Sequence, residues 1–338
     1  MNDILAAALS QCDRAGAGGA LAGAVTAVSR LSGGANMETW SLDWQLGEET
    51  LPLILRRLPS SHDPSPDAPV QVGTIDLSTE VLLLRLAAAH AVSVPTVVLV
   101  LEPQHGLGVG YIMSRERGEA LPFRILAEPG YAAARQQLAR QCGEVLGHIH
   151  QIPLAEVPPG LRDLSPQEDL DRLQGLLDKY GNASPVHQLG LNWLRQNMPN
   201  TGRRTLVHGD FRNGNLLVDE RGLVAVLDWE LAHLGDPAED LGYLCGNVWR
   251  FGHSEKPVGG FGEYQELLDG YRSVTGYAPD LKVIRYWEVY CALSWGLVCL
   301  TMIEMYRSGQ DQSLERAAVG RRMSESEIDL LILLEGEL

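Results

Sequence analysis

The sequence has no pair of cysteines at CxxC spacing. Its five cysteines, Cys12, Cys142, Cys245, Cys291 and Cys299, are an odd, scattered set. That excludes a disulfide framework and fits reduced thiols. Basic residues are in deficit: 27 Lys and Arg stand against 43 Asp and Glu, a net charge of −16. Non-specific nucleic-acid binding needs a basic surface, so no nucleic-acid partner is expected. No G-x-x-x-x-G-K-[ST] occurs, which removes the P-loop ATPase reading. The opening MNDILAAALSQCDRAG lacks a basic region and a long apolar run, so no signal peptide is expected. Long apolar runs are missing elsewhere too. In the most apolar stretch, Tyr286 to Tyr306, only fifteen residues lie between Glu288 and Glu304. That is short for a bilayer span and reads as a buried helix. Repeats and low-complexity tails are absent. These absences give the expectation of a cytoplasmic protein with no membrane partner. They say nothing of its oligomeric state.

What is present centres on His208 to Tyr243, HGDFRNGNLLVDERGLVAVLDWELAHLGDPAEDLGY. Asp210 lies in a tight His-Gly-Asp turn, and Asn215 follows five residues later. Leu216 to Val218 reads as a short strand, Asp219 to Gly222 as a turn, and Leu223 to Leu227 as a second strand ending on Asp228. A hairpin returns its ends to one place, which predicts Asn215 and Asp228 side by side, next to Asp210. Carboxylate plus amide oxygen is hard-ligand chemistry, suited to Mg²⁺ with nucleotide phosphates and poorly suited to zinc. Asp210 is then left to orient a hydroxyl and accept its proton.

The stretch resembles the catalytic loop of protein kinases, H-R-D-x-x-x-x-N followed by D-F-G. Gly209 replaces the Arg, and Asp228-Trp229-Glu230 stands at D-F-G. In that form it is similar to the aminoglycoside phosphotransferase-like small-molecule kinases. HGDFRNGNLL, LDWELAHLGDP and EDLGYL look most like the branch of kinase-like domains linked to acyl-CoA dehydrogenases. The resemblance implies an α+β, bilobal protein-kinase-like fold. Its N-lobe would be an antiparallel sheet plus one helix, residues 1–113. A hinge at 114–118 would follow, and then a mostly helical C-lobe, 119–338, carrying the catalytic-loop hairpin. It also implies ATP as donor, with GTP not excluded, and Mg²⁺ held by Asn215 and Asp228.

Along the chain, residues 3–14 suggest a short helix. Strands are expected at Ala24–Leu31, Glu38–Leu46, Leu51–Leu58, Pro95–Leu101 and Gly108–Met113. Gly33 and Gly34 form a turn that can bring backbone N–H groups to phosphate. By resemblance, Arg56 takes the place of the kinase strand lysine, and Arg57 should face the other way. Arg is a planar fork able to hold phosphate and carboxylate together. In the helix at Asp76–His90, Glu80 shares a face with Leu83, Leu84 and Ala87. A carboxylate on an apolar stripe needs a partner, and Arg56 is the candidate. Backbone groups from Met113 to Arg115 would meet the adenine edge. His208 is expected to pack and hydrogen-bond rather than act as base. Asp240 should hold the loop, and Asp236 should cap the helix behind Pro237. Arg212 and Asn213 either touch substrate or face solvent. His148 and His150, two apart on a helix, do not share a face and are read as structural.

The expected reaction is ATP-dependent transfer of a phosphoryl group to a hydroxyl of a small-molecule acceptor, with Asp210 as catalytic residue. Trp249, Arg250, Arg285, Trp287, Trp295 and Arg307 suit an apolar chain beside an anionic group. That favours a hydroxyacid or hydroxyacyl-CoA. The alternative acceptors are an aminoglycoside or an amino alcohol. The alternative of another class is a non-catalytic nucleotide-binding pseudokinase.

Overall fold

The computed structural model describes residues 1–10, 23–31, 37–58, 74–180, 184–199, 202–311 and 313–335. Gly33 and Gly34, expected at the phosphates, lie outside the described residues. The chain forms two compact units. One is Met1–Gly118 with Val224–Leu231; the other is Glu119–Leu223 with Ala232–Leu338.

The first unit is built on a five-stranded antiparallel sheet. Its strands are β1 (Ala24–Arg30), β2 (Glu38–Leu46), β3 (Glu49–Arg57), β4 (Val97–Val100) and β5 (Gly110–Ser114). Their order is β1-β2-β3-β5-β4, so the last strand inserts between β3 and β4. Leu42, Trp44, Leu53, Leu55 and Ile112 build a core with Leu5 and Leu9 of α1 (Asn2–Leu9). Helix α2 (Leu77–Ala89) starts where Asp76 accepts a hydrogen bond from the Thr79 amide, 2.9 Å, satisfying one free helix N–H. Residues Val224–Leu231, expected with the helical part, pack instead with this unit. Val226 N–H donates to the Ser93 carbonyl (2.9 Å) and Ile75 N–H to that of Glu230 (2.8 Å). Those bonds satisfy backbone groups of the segment within this unit.

The second unit is mostly helical: α3 (Pro122–Ala127), α4 (Ala132–His150), α5 (Pro166–Tyr180), α6 (Pro185–Gln196), α7 (Ala238–Cys245), α8 (Tyr264–Thr275), α9 (Leu281–Arg307), α10 (Leu314–Gly320) and α11 (Met323–Leu334). Short strands interrupt it. β6 (Thr205–Val207) pairs with β9 (His233–Gly235), and β7 (Leu216–Asp219) with β8 (Gly222–Val226). The chain passes to the first unit within β8 and returns after Leu231. Helices α4 and α8 touch through glycine. A Cβ on Gly143 would collide with the Leu267 carbonyl, and one on Gly270 with that of Arg140.

Helix α9 is, by length and composition, able to cross a membrane; half of its most apolar window is buried in the protein. Its Glu288 is buried and bound by Arg250 (3.0 Å) and by the Tyr264 hydroxyl (2.7 Å). Burial dominates these partners and pushes the carboxyl up to about 7, from 4.5. Between those values the folded chain holds a proton that the unfolded chain has lost. This group's stabilisation is therefore full below 4.5 and is lost as pH rises through about 7. Glu288→Gln should remove a slope of up to about 1.4 kcal/mol per pH unit. Urea unfolding of both proteins at about pH 5 and about pH 8 checks this. Parallel pH dependence in the two proteins would show that Glu288 titrates normally.

Candidate active site

In the first unit, strand β3 ends on Arg56 and Arg57, which alternate across the sheet. Arg57 turns to Glu38 on the neighbouring strand, 2.9 Å away. Arg56 turns the other way and spans two carboxylates. Its Nη1 meets Glu80 of α2 at 3.1 Å, and its Nη2 meets Asp228 at 2.8 Å. Tyr111, opposite Arg56 on β5, closes the group. Glu80 is only 2% exposed; burial pushes its carboxyl above the ordinary value, and the Arg56 charge beside it opposes that shift. Burial opposes the Arg56 charge, but Glu80, Tyr111 and Asp228 outweigh it and push its pKa up. Arg56 is a fixed cation. Asp228 stands at φ +65°, a left-handed conformation that Asp tolerates better than most side chains.

Met113 and Arg115 lie at and just beyond the end of β5. The Arg115 amide donates to the Pro52 carbonyl (3.0 Å), and its side chain binds Asp43 (2.6 Å) and Ser41. An adenine edge would have to meet a different group there or displace that amide bond.

In the second unit, β6 delivers the chain into His208-Gly209-Asp210. The buried carboxylate of Asp240, from α7, holds this turn. It accepts from the His208 amide (2.8 Å) and the Gly209 amide (2.9 Å). His150, at the end of α4, sets its Nε2 3.1 Å from the same carboxylate and its Nδ1 3.1 Å from the Tyr271 hydroxyl on α8. Burial alone would raise the Asp240 pKa; His150 and His208 outweigh it and hold the carboxyl below its ordinary value. His208 is fully buried, accepts from the Asp210 amide through Nδ1 (3.2 Å) and packs edge-on against Phe211. It is a hydrogen-bonding and packing residue. Asp236 accepts from the Ala238 amide (2.8 Å) at the start of α7.

Asp210 is gripped from two sides. Arg212 Nε lies 3.0 and 3.1 Å from its two oxygens. Asn215 Nδ2 lies 2.5 Å from Oδ2 and 3.0 Å from the Asp210 carbonyl. That geometry turns the Asn215 amide oxygen away from Asp210. The amide oxygen of Asn215 and the carboxylate of Asp228 are hard donors and fit Mg²⁺ chemically. Among the described residues, no three His, Cys, Asp or Glu gather into a metal site. Water and phosphate oxygens would have to complete any shell. Asp210 and Asn215 belong to the second unit and Asp228 to the first.

Asn213, expected at substrate or solvent, is buried and donates to the Gly259 carbonyl at 2.8 Å. Arg250, expected at an acceptor anion, is spent on Glu288 and on the Cys245 carbonyl (2.7 Å). Arg307 pairs with Glu304 on the surface. Trp249 and Trp295 do meet, with ring centres 5.3 Å apart. Trp287 packs elsewhere, against Tyr286 and Tyr290. His150, read as structural, is so placed: it supports Asp240. That Tyr271 backs it was not read from the sequence.

A family model described as "Phosphotransferase enzyme family" matches residues 13–277. Mouse acyl-CoA dehydrogenase family member 10 is 27% identical over 297 residues, 82% of this chain and 27% of that protein. The chain thus spans about a quarter of the length of that relative. A putative aminoglycoside phosphotransferase from Ralstonia eutropha JMP134 has a similar structure, with a TM-score of 0.73 at 20% identity over 99% of this chain and 98% of that one. The GDP complex of aminoglycoside 2'-phosphotransferase-IIIa gives a TM-score of 0.63 at 16% identity, over 90% and 93%. Both likenesses concern the fold, which is kinase-like, with an antiparallel sheet in the N-terminal part and helices in the C-terminal part. The family match takes in Arg56, Glu80, Asp210, Asn215 and Asp228 together, and the protein belongs to the phosphotransferase enzyme family.

Proposed function

We infer that the protein is a small-molecule kinase that moves the γ-phosphoryl group of ATP to an alcohol. The observation that carries this is the Asp210 carboxylate, gripped by Arg212 and Asn215 on a loop pinned by buried Asp240. Its place suits the work of orienting a hydroxyl and taking its proton. The hydroxyl oxygen forms a bond to the γ-phosphorus, the bond to the β–γ bridging oxygen breaks, and ADP leaves. Arg56, fixed by Glu80, supplies a cation for the phosphates. Asn215 and Asp228 would hold Mg²⁺, which supplies charge neutralisation for those phosphates. Positioning and electrostatics then provide most of the catalysis.

For the acceptor we favour a hydroxyacid or hydroxyacyl-CoA over an aminoglycoside. Support comes from half-buried Trp295, which packs against buried Trp249. The mouse relative's name also points toward acyl-CoA chemistry. The test is a phosphoryl-transfer screen with ATP and with GTP over hydroxyacids, hydroxyacyl-CoAs, aminoglycosides and choline-like alcohols. Transfer to the hydroxyacyl group is expected. Efficient phosphorylation of kanamycin-type compounds with hydroxyacyl compounds untouched would reverse the preference. Nucleotide binding with no transfer to any acceptor or to water would favour the pseudokinase.

Asp228→Ala should weaken ATP binding in the presence of Mg²⁺ by at least about tenfold, the effect of losing one charged ligand. Calorimetric titration with Mg²⁺ and with EDTA measures both affinities. Binding in EDTA should hardly change. An equal loss under both conditions would mean that Asp228 acts only through Arg56.

A further inference from the structure

Arg212 is not accounted for by the family motif, H-G-D-x-x-x-x-N, in which its position is open. Yet its side chain is tightly placed. One nitrogen, Nε, faces both Asp210 oxygens at 3.0 and 3.1 Å, fixing the plane in which the carboxylate lies. The guanidinium carbon sits 4.5 Å over the Trp249 ring, which is buried and itself packed at a tilt against Tyr243 and edge-on against Trp295. On the loop side, a Cβ at Gly214 would come within 2.6 Å of Arg212 Nη1. Gly214 also stands at φ +115°, where a side chain is strained. Three features therefore converge on one rotamer: an aromatic floor, a glycine that makes room, and the carboxylate itself.

We propose that Arg212 is the positioning residue of Asp210, with Trp249 as its brace. This rests on Asp210 being the base. A carboxylate that must accept a hydroxyl proton has to present an oxygen in a fixed direction, and rotation about its last torsion is soft. Asn215 holds only Oδ2. Arg212 supplies the second hold and keeps the anion fixed through the turnover. Cation–π contact with Trp249 limits where the guanidinium can go. Arg212 acts through Asp210, whose two oxygens its Nε faces.

The test uses the full chain and ATP hydrolysis in Mg²⁺, with water standing in for the unidentified alcohol. Four proteins are compared: wild type, Asp210→Asn, Arg212→Ala and Arg212→Lys. Arg212→Ala should lower kcat up to about 100-fold, the scale of a misplaced catalytic group, with KM for ATP unchanged. Arg212→Lys should fall between the two, because a point charge restores attraction but not the two-oxygen grip. Guanidinium chloride below denaturing concentration, against sodium chloride, should restore part of the Arg212→Ala rate and none of the Asp210→Asn rate. Thermal melting separates a folding defect from a positional one. Wild-type kcat in Arg212→Ala, or a loss that neither lysine nor guanidinium repairs, would overturn the proposal. Wild-type turnover in Asp210→Asn would instead overturn the reading on which it rests.

Discussion

Asp210→Asn is expected to lower kcat by at least ~100-fold, the scale for loss of a general base. The substitution is nearly isosteric. The Asp240 carboxylate and the two amides it accepts from are untouched, so the loop should keep its shape. What is lost is the anion between Arg212 and Asn215. An amide offers one acceptor oxygen where the carboxylate offers two, and it does not take up a proton. Arg212 also loses its counter-charge. Nucleotide affinity should stay near normal, because the substitution leaves Arg56, Glu80 and Asp228 untouched. Single-turnover kinetics and nucleotide titration on the same preparation check both halves. Turnover at the wild-type rate would remove Asp210 from the chemistry.

Arg56→Ala is expected to remove activity and to destabilise the fold by about 3–5 kcal/mol, the cost of breaking a buried ion pair. Glu80 sits on an apolar helix face, 2% exposed, with Arg56 at 3.1 Å. Removing the guanidinium leaves that carboxylate in a place with little water. The double variant Arg56→Ala/Glu80→Gln should therefore be more stable than Arg56→Ala alone, although no more active. Arg56→Lys should keep part of both properties. A single ammonium can reach Glu80 or Asp228 but cannot bridge them as the fork does, at 3.1 and 2.8 Å. Denaturant unfolding and turnover measured on all four proteins give the comparison. If the single and double variants unfold alike, Glu80 carries no charge that needs Arg56.

Much of this was legible in the sequence because it is local. The strands of the first unit announced themselves by apolar runs between turns, and Glu80 by its place on an apolar stripe. Arg56 and Glu80 could be paired because the kinase resemblance sets a basic strand residue against a helix glutamate, and Glu80 sat on an apolar stripe in need of a partner. The order of the sheet was not legible, since nothing local says that β5 slots between β3 and β4. Contacts between distant segments were also hidden. His150 meets Asp240 across 90 positions, and Arg115 meets Asp43 across 72. Arg250 looked like a ligand for an anion, and α9 supplies that anion from within the protein as Glu288. Asn213 looked available because its neighbours in the sequence are polar, while its real partner is the Gly259 carbonyl, 46 positions away.

The glycine crossing of α4 and α8 has a reach beyond its own contact. His150 closes α4 and links Tyr271 of α8, through its two ring nitrogens, to the carboxylate that pins the His-Gly-Asp turn. The distance between the two helix axes therefore sets the height of the support on which the turn rests. A methyl group added at Gly143 or Gly270 would wedge the helices apart and lower that support without touching the turn. Kinetically, such a variant would look like damage to the chemistry. In a random-mutagenesis screen for lost turnover, hits at these two glycines would be defects of leverage, repairable by changes elsewhere along the same pair of helices.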